Sequence, residues 1–142
     1  MVNLQRAAAA LTIAFATSLS VAQANDEHPE GVAQAAAVAW LALVDAGNYA
    51  PSWDAAATRF RESITREDWA ARAASLRGSM GALKSRNLKS ETYTHSLPGT
   101  PNGDYVVIRF DSSFAQMGAA TETVTTMQDA DGTWRVAGYF IK

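Results

Sequence analysis

The sequence predicts an α+β domain in which N-terminal helices pack on a curved antiparallel sheet of four strands. Apolar residues recur at helical spacing in the first half of the chain. Strand-like segments separated by turn dipeptides fill the second half. The chain has no cysteine, which excludes disulfides, thiolate metal sites and thiol nucleophiles. The hydrophobic core alone must therefore hold the domain together.

The N-terminal segment has the pattern of a cleavable signal peptide. Arg6 lies in a short basic start, and residues 7–21 are apolar but short for a membrane-spanning helix. Ala22-Gln23-Ala24 then provides small residues at the two positions that a signal peptidase reads. We expect residues 1–24 to be removed after Ala24 and the protein to act in the periplasm or as a secreted protein. The alternatives are an uncleaved anchor and a buried N-terminal helix.

The rest of the chain is predicted to be a polar linker over residues 25–31 followed by a single α+β domain over residues 32–142. Without Arg6, 11 basic residues stand against 14 acidic ones, which gives a formal net charge of −3. This balance gives no electrostatic reason to expect nucleic acid or an anionic membrane surface as a partner. No later segment is apolar enough for us to expect a membrane span.

Three helices are predicted in the first half of the domain. Periodic apolar residues predict the first over 32–46, and Gly47-Asn48 ends it. A proline suits the first turn of a short second helix over 51–57. Thr65 is the N-cap candidate of the third, and two acidic residues follow in the first turn.

Aromatic and basic residues alternate along these helices. Trp40, Trp53 and Trp69 have the residue type of an aromatic ligand pocket, but tryptophans at helical spacing more often form core, and we expect core here. Arginines alternate with the apolar stripe of the third helix, and we interpret them as a solvated face. These arginines are Arg66, Arg72 and Arg77.

Four strands are predicted over residues 88–95, 104–114, 120–128 and 133–141. Asp131-Gly132 predicts a tight hairpin between the last two.

Alternation along the last three strands then predicts two chemically different faces. The apolar face is expected to pack on the helices, and it contains Val106, Ile108, Phe110, Phe114, Met127, Trp134, Val136 and Phe140. The other face is mixed, and it contains Tyr105, Val107, Arg109, Asp111, Glu122, Val124, Thr126, Arg135, Ala137, Tyr139 and Ile141. Its hydrophobic residues suggest a homodimer through the sheet face. A half-wetted sheet face is the alternative. A register error of one residue would exchange the faces of a strand.

Three stretches of the chain read AWLALVDAGNYAPSWDAAATRF, LPGTPNGDYVVIRFDSSF and ETVTTMQDADGTWRVAGYFIK, and together they span most of the predicted mature chain. These stretches resemble the bacterial secreted family known as domain of unknown function 4019. The order of helices and strands is similar to that of nuclear-transport-factor-2-like, or cystatin-like, folds. The resemblance implies such a fold in a periplasmic or secreted protein, and it implies no reaction. The chain departs from the family pattern at residues 77–81, where we would expect an Arg-x-Pro-Leu-Gly-like turn.

Candidate chemistry is confined to the mixed face. Arg109, Asp111 and Glu122 are expected to lie together on adjacent strands, where two carboxylates of unequal environment can divide acid and base roles. A cross-strand ion pair of Arg109 with Asp111 or Glu122 is the favoured alternative. Tyr105 and Tyr139 complete the set of candidate ligand or interface residues. The two histidines lack partners at ligand spacing, so neither a metal nor another cofactor is expected.

The favoured function is a non-catalytic module that binds a small hydrophobic ligand or a protein partner. The alternative is an enzyme of the SnoaL-like kind, an isomerase, cyclase or hydrolase that uses a strand carboxylate in a pocket. A buried carboxylate with a raised pKa in an enclosed cavity would indicate the enzyme. Fold likeness alone does not decide between the two.

Overall fold

Four helices pack on one side of a four-stranded antiparallel sheet within residues 28–142, the part of the chain that the computed structural model describes. The predicted signal peptide and the first three linker residues lie outside the described residues. The helices are α1 (Pro29–Asp45), α2 (Tyr49–Asp54), α3 (Thr58–Ser63) and α4 (Arg66–Met80), and the strands are β1 (Leu83–Thr94), β2 (Tyr105–Phe114), β3 (Gly118–Gln128) and β4 (Trp134–Ile141). The strands follow the order β1-β2-β3-β4, which confirms the α+β class.

The helix bounds differ from the predicted ones in two places. Helix α1 begins at Pro29, three residues before the predicted start, because proline is well suited to the first helical turn. The short helix α3 was not predicted, and α2 ends at Asp54. The predicted cap of α4 is confirmed, since the Thr65 hydroxyl accepts a hydrogen bond from the Asp68 amide at 3.1 Å. Within the described residues, no helix combines the length and the apolar character needed to cross a membrane.

The turn between β2 and β3 sets a register that differs from the predicted one. Phe114 pairs with Gly118 across a three-residue loop, and Gly118 has φ +71°, a conformation that glycine adopts readily. Phe110 therefore pairs with Glu122 rather than pointing to the same side as Met127. The helix-facing residues of β3 are Ala120, Glu122, Val124 and Thr126. The predicted helix-facing side of β3 was wrong, because the turn shifts the pairing of β3 with β2 by one residue from the predicted register.

A β-bulge in β4 corrects a second part of the predicted register. Thr126 pairs with Val136, whereas Thr125 pairs with Gly138, so Ala137 is the extra residue on β4. Beyond the bulge, Tyr139 faces the helices and Phe140 faces outward with 61% of its surface exposed. The sequence prediction had placed these two side chains the other way round.

The space between the helices and the sheet is filled by an aromatic and aliphatic core. Trp40 lies 5.6 Å from Trp69 and 5.4 Å from Tyr139 between ring centroids, and Phe60 packs edge-on against both tryptophans. Two buried indole N–H groups donate to nearby acceptors, that of Trp40 to the Ser52 carbonyl and that of Trp69 to the Ser52 hydroxyl. The prediction that Trp40 and Trp69 form core is confirmed.

Two adjacent alanine variants test the register of β4. We expect Tyr139→Ala to lower the free energy of unfolding by about 3–5 kcal/mol, because it removes a large ring from the core. We expect Phe140→Ala to change it by less than about 0.5 kcal/mol, because this ring is mostly in water. Urea unfolding measures both. The opposite order of the two effects would support the register predicted from the sequence and contradict this fold.

Candidate functional site

Glu122 is a fully buried carboxylate on the helix-facing side of the sheet. None of its surface is exposed, although alternation had placed it on the outer face. Arg86 on β1 donates to it twice, from Nε to Oε2 at 2.6 Å and from Nη2 to Oε1 at 3.0 Å. The hydroxyls of Ser112 and Tyr139 also donate to it, each at 2.5 Å. The predicted exposed position of Glu122 is thus wrong, for the turn register given above.

The same arginine connects the sheet to the helices. The second side of the Arg86 guanidinium donates to Asp45, the last residue of α1, at 2.7 and 3.0 Å. Arg77 on α4 donates to the same carboxylate from Nη2 at 2.7 Å. We call Asp45, Arg77, Arg86 and Glu122 the buried ion network. It holds two positive and two negative charges, and Asp45 is its most exposed member, with 22% of its side chain in contact with water.

The sequence interpretation of Arg77 was also wrong. Its side chain is only 6% exposed, whereas a solvated face was predicted. Its Nε and Nη1 atoms have no hydrogen-bond partner among the described residues. The guanidinium lies 5.0 Å from the centre of the Phe114 ring, so a cation–π contact takes the place of those hydrogen bonds on one side.

The buried ion network keeps both of its carboxyl groups ionised. Burial by itself raises the pKa of Glu122, but the hydrogen bonds from Arg86, Ser112 and Tyr139 and the charge of Arg86 outweigh it, so this pKa lies below its ordinary value. Burial also raises the pKa of Asp45. The hydrogen bonds and charges of Arg86 and Arg77 outweigh burial, so the pKa of Asp45 lies below its ordinary value as well. Burial and the charge of Glu122 raise the pKa of Tyr139, which keeps its hydroxyl protonated as a donor.

This environment is the reverse of that of a general base. A catalytic carboxylate needs a pKa near the working pH and an oxygen within reach of substrate. The pKa of Glu122 is lowered, and both of its oxygens accept hydrogen bonds from protein donors. Glu122 therefore joins the sheet to the helices through Arg86 and offers no free acceptor to a substrate.

Of the other candidate residues, Tyr139 lies with Glu122, whereas Tyr105, Arg109 and Asp111 lie on the outer face, so the structure does not bring the five together. Asp111 is on the outer face and pairs with Lys89 at 2.9 Å, so the predicted ion pair with Arg109 is wrong. Arg109 is exposed on the outer face and has no ion-pair partner among the described residues. Tyr105 is only 2% exposed, and its hydroxyl donates to the Pro101 carbonyl at 2.7 Å.

A shallow depression lies on the outer face of the sheet. We call it the outer-face depression. Its volume is about 460 Å³. It is lined by Lys89, Arg109, Thr121, Thr123, Phe140 and Lys142. It thus combines three basic side chains, two hydroxyls and the exposed Phe140 ring, and Arg109 is the one predicted candidate residue in it.

A smaller polar cluster lies where β1 meets β2. The Tyr93 hydroxyl donates to Asp104 at 2.6 Å, and Nδ1 of His95 lies 2.9 Å from the same carboxylate oxygen. The hydrogen bond to Asp104 raises the pKa of Tyr93. A cleft of about 370 Å³ adjoins Tyr93 and Asp104 beside Trp134. The sequence interpretation missed this cluster, because eight residues separate His95 from Asp104 and only the loop between β1 and β2 brings them together.

The residues that sequence reasoning missed carry little local signal. Arg86 was not singled out, and it lies 36 residues from Glu122 and 41 from Asp45. One indication was available: Asp45 lies at the C-terminal end of a helix, where the helix dipole disfavours a carboxylate unless a cation compensates.

These features define the class of the protein as a small α+β domain whose interior is closed by a buried ion network. Comparison of its sequence with protein families then identifies the particular group. A family model described as "Protein of unknown function (DUF4019)" matches residues 36–139, and the chain belongs to this family. No curated protein matches the chain.

Removing one charge of the network tests whether the pairing is structural. We expect Glu122→Gln to lower the free energy of unfolding by about 3–5 kcal/mol, because it leaves Arg86 buried with only part of its charge compensated. The matched control is Asp111→Asn, which breaks the exposed pair with Lys89 and is expected to cost at most about 1 kcal/mol. Equal effects of the two variants in urea unfolding would show that the network is not a buried pair.

The lowered pKa values also predict how stability depends on pH. Glu122 and Asp45 have ordinary pKa values of 4.5 and 3.8 and lower ones in the folded protein. Their contribution to stability is therefore fully present above about pH 5 and is lost as the pH falls through the folded values. We expect the free energy of unfolding to decrease below pH 4.5, and to decrease less steeply in Glu122→Gln. Stability that rises as the pH falls through this range would contradict the assignment.

Proposed function

We propose that this protein is a non-catalytic binding module that acts in the periplasm or outside the cell. It binds a small molecule at the outer face of its sheet, and it does not use the space between the helices and the sheet. Export rests on the sequence pattern of residues 1–24, with removal after Ala24. The cystatin-like, or nuclear-transport-factor-2-like, fold is part of the same proposal and rests on the resemblance of the order of elements.

The single observation that carries the proposal is the contrast between the two sides of the sheet. On the helix-facing side, aromatic rings fill the space and Glu122 has four hydrogen bonds from protein donors. On the outer side, the depression of about 460 Å³ exposes Phe140 beside basic and hydroxyl side chains. Ligand sites combine an apolar surface with a few polar groups of this kind.

Binding is favoured over SnoaL-like catalysis by the state of the carboxylates. The enzyme hypothesis required a strand carboxylate with a raised pKa in a pocket. The pKa of Glu122 is instead lowered, and Asp111 is an exposed partner of Lys89. Neither group has the environment that a general acid or base requires.

A homodimer through the sheet face is the competing use of the same surface. Its apolar patch was expected to include Val124, Tyr139 and Ile141, which face the helices instead. Phe140 and a few partly exposed neighbours remain on the outer side. Because stable dimers bury on the order of 800 Å² per partner with an apolar centre, we favour the small ligand.

A screen by two-dimensional NMR tests the proposal. The full chain, expressed with its own signal segment and labelled with ¹⁵N, is titrated with a library of small apolar and amphipathic compounds. We expect hits to shift the amide signals of Thr121, Thr123 and Phe140, since these residues line or adjoin the depression. Phe140→Ser should weaken such hits about tenfold, which corresponds to about 1.4 kcal/mol.

Val38→Ser is the matched control. It removes an apolar side chain of similar exposure on α1, far from the sheet's outer face, and it should leave affinity unchanged. Hits that shift the signals of Trp40 and Glu122 instead would contradict the proposal and reopen the interior as a site. A concentration-dependent dimer that Phe140→Ser abolishes, with no small-molecule hits, would replace the ligand by a second copy of the chain.

A further inference from the structure

We propose that the outer-face depression selects small organic anions, in which a carboxylate or phosphate group is joined to an aromatic or short alkyl group. The inference rests on the proposed binding function and adds the chemical class of the ligand. Two rows of side chains that cross the strands form the depression.

The first row brings a cation and an aromatic ring to either side of a hydroxyl. Arg109 on β2 pairs with Thr123 on β3, and Thr123 pairs with Phe140 on β4. Because residues in register on neighbouring strands point to the same side, all three project outward. The cation and the ring are thus two strands apart, about 10 Å, with Thr123 between them.

The second row lies two residues earlier on β3, where Asp111 of β2 pairs with Thr121 and Thr121 pairs with Lys142. Thr121 accepts a hydrogen bond from the Lys142 amide and donates its own amide to the Lys142 carbonyl, at 3.2 and 2.8 Å. This pairing fixes the root of the Lys142 side chain beside Thr121. Thr121 and Thr123 are separated by about 7 Å along the strand. Arg109 lies on the β2 side of these two threonines and Lys142 lies on the β4 side. One anionic group above the threonines can therefore contact both cations.

The charge of the depression is positive because its other charged groups are already paired. Lys89 is neutralised by Asp111 at 2.9 Å, which leaves Arg109 and Lys142 without an ion-pair partner among the described residues. Arg135, which also lies on the outer side of the sheet, is occupied by Asp129 and Asp131 at 3.1 and 2.8 Å. No Asp or Glu side chain lines the depression itself, and Asp111, the partner of Lys89, lies at its edge, where it pairs with Thr121. An anion thus meets Arg109 and Lys142, neither of which is in an ion pair among the described residues, and the hydroxyls of Thr121 and Thr123 as further donors.

The exposed ring supplies the apolar half of the specificity. Phe140 is 61% exposed, the most exposed of the large hydrophobic side chains in the described residues. When a ring or alkyl group covers Phe140, apolar surface of both the ligand and Phe140 is removed from water. This burial favours binding whatever the charge of the ligand. Charge is therefore expected to determine selectivity, and the apolar contact to add affinity.

Matched anionic and neutral probes test this inference. The full chain is titrated by NMR with benzoate and phenyl phosphate, with benzamide as the neutral counterpart of benzoate, and with acetate as the anion that lacks a ring. We expect both aromatic anions to shift the amides of Thr121 and Thr123, and benzoate to bind at least about tenfold more tightly than benzamide at low salt. Acetate should bind more weakly than benzoate, because it cannot cover Phe140.

Charge-removing variants separate this site from general attraction to a basic protein. Arg109→Gln and Lys142→Gln should each reduce the preference for benzoate over benzamide, whereas Arg72→Gln removes an exposed cation on α4 and should leave it unchanged. Phe140→Ala should weaken benzoate and benzamide to the same extent. Phenyl phosphate that binds when benzoate does not would narrow the class to phosphates and still support the inference.

Two results would overturn the inference. Benzamide binding as tightly as benzoate on the outer face would remove the charge selectivity, while the proposed binding function would still stand. Absence of any outer-face shift with the anions at their highest soluble concentration would also overturn it. The broader library screen, read at the same amides and with Phe140→Ser, then decides separately whether the outer face binds ligands at all.

Discussion

The pairing of the fully buried Glu122 with Arg86 is the interaction on which the rest of the structure depends. A carboxylate without exposed surface costs several kcal/mol unless it is paired and hydrogen-bonded. Arg86 meets that requirement from the edge strand β1 and at the same time holds Asp45 at the end of α1. Arg77 adds a contact from α4 to the same aspartate. One set of charges thus fixes two helices and two strands relative to one another, and it compensates a carboxylate at the unfavourable end of a helix dipole.

This pairing also decides where function is to be sought. A closed interior with an ionised, fully hydrogen-bonded carboxylate supports a structural role for Glu122, and the tryptophan cluster around Trp40 occupies the space that a buried ligand would need. The outer side of the sheet keeps the features that a ligand can use, namely Phe140 in water and Arg109 without an ion-pair partner among the described residues. The family assignment is compatible with this division and adds no activity of its own.

Much of the fold follows from local sequence patterns, and the parts that do not have identifiable causes. Helical periodicity and the Thr65 cap predicted the long helices, and Asp131-Gly132 predicted the last hairpin. Which residues of β3 face the helices depends on whether Gly118 ends the turn or begins the strand. The alternation of apolar and polar residues does not determine this. The bulge at Ala137 reverses the sides of the sheet to which Tyr139 and Phe140 point. The candidate residues on β4 are therefore different from the predicted ones. The role of Arg86 could not be predicted from local sequence patterns, because its partners lie 36 and 41 residues away in the chain.

The central claim is that Glu122 is held as a structural anion by its partners. Titration of its side-chain carboxyl carbon by ¹³C NMR measures this most directly, with exposed Asp111 recorded in the same spectra as an internal comparison. The account predicts a midpoint for Glu122 below the ordinary glutamate pKa of 4.5. A midpoint above 4.5 would contradict it, because burial would then outweigh the pairing with Arg86 and the carboxyl group would have the raised pKa of a catalytic acid or base.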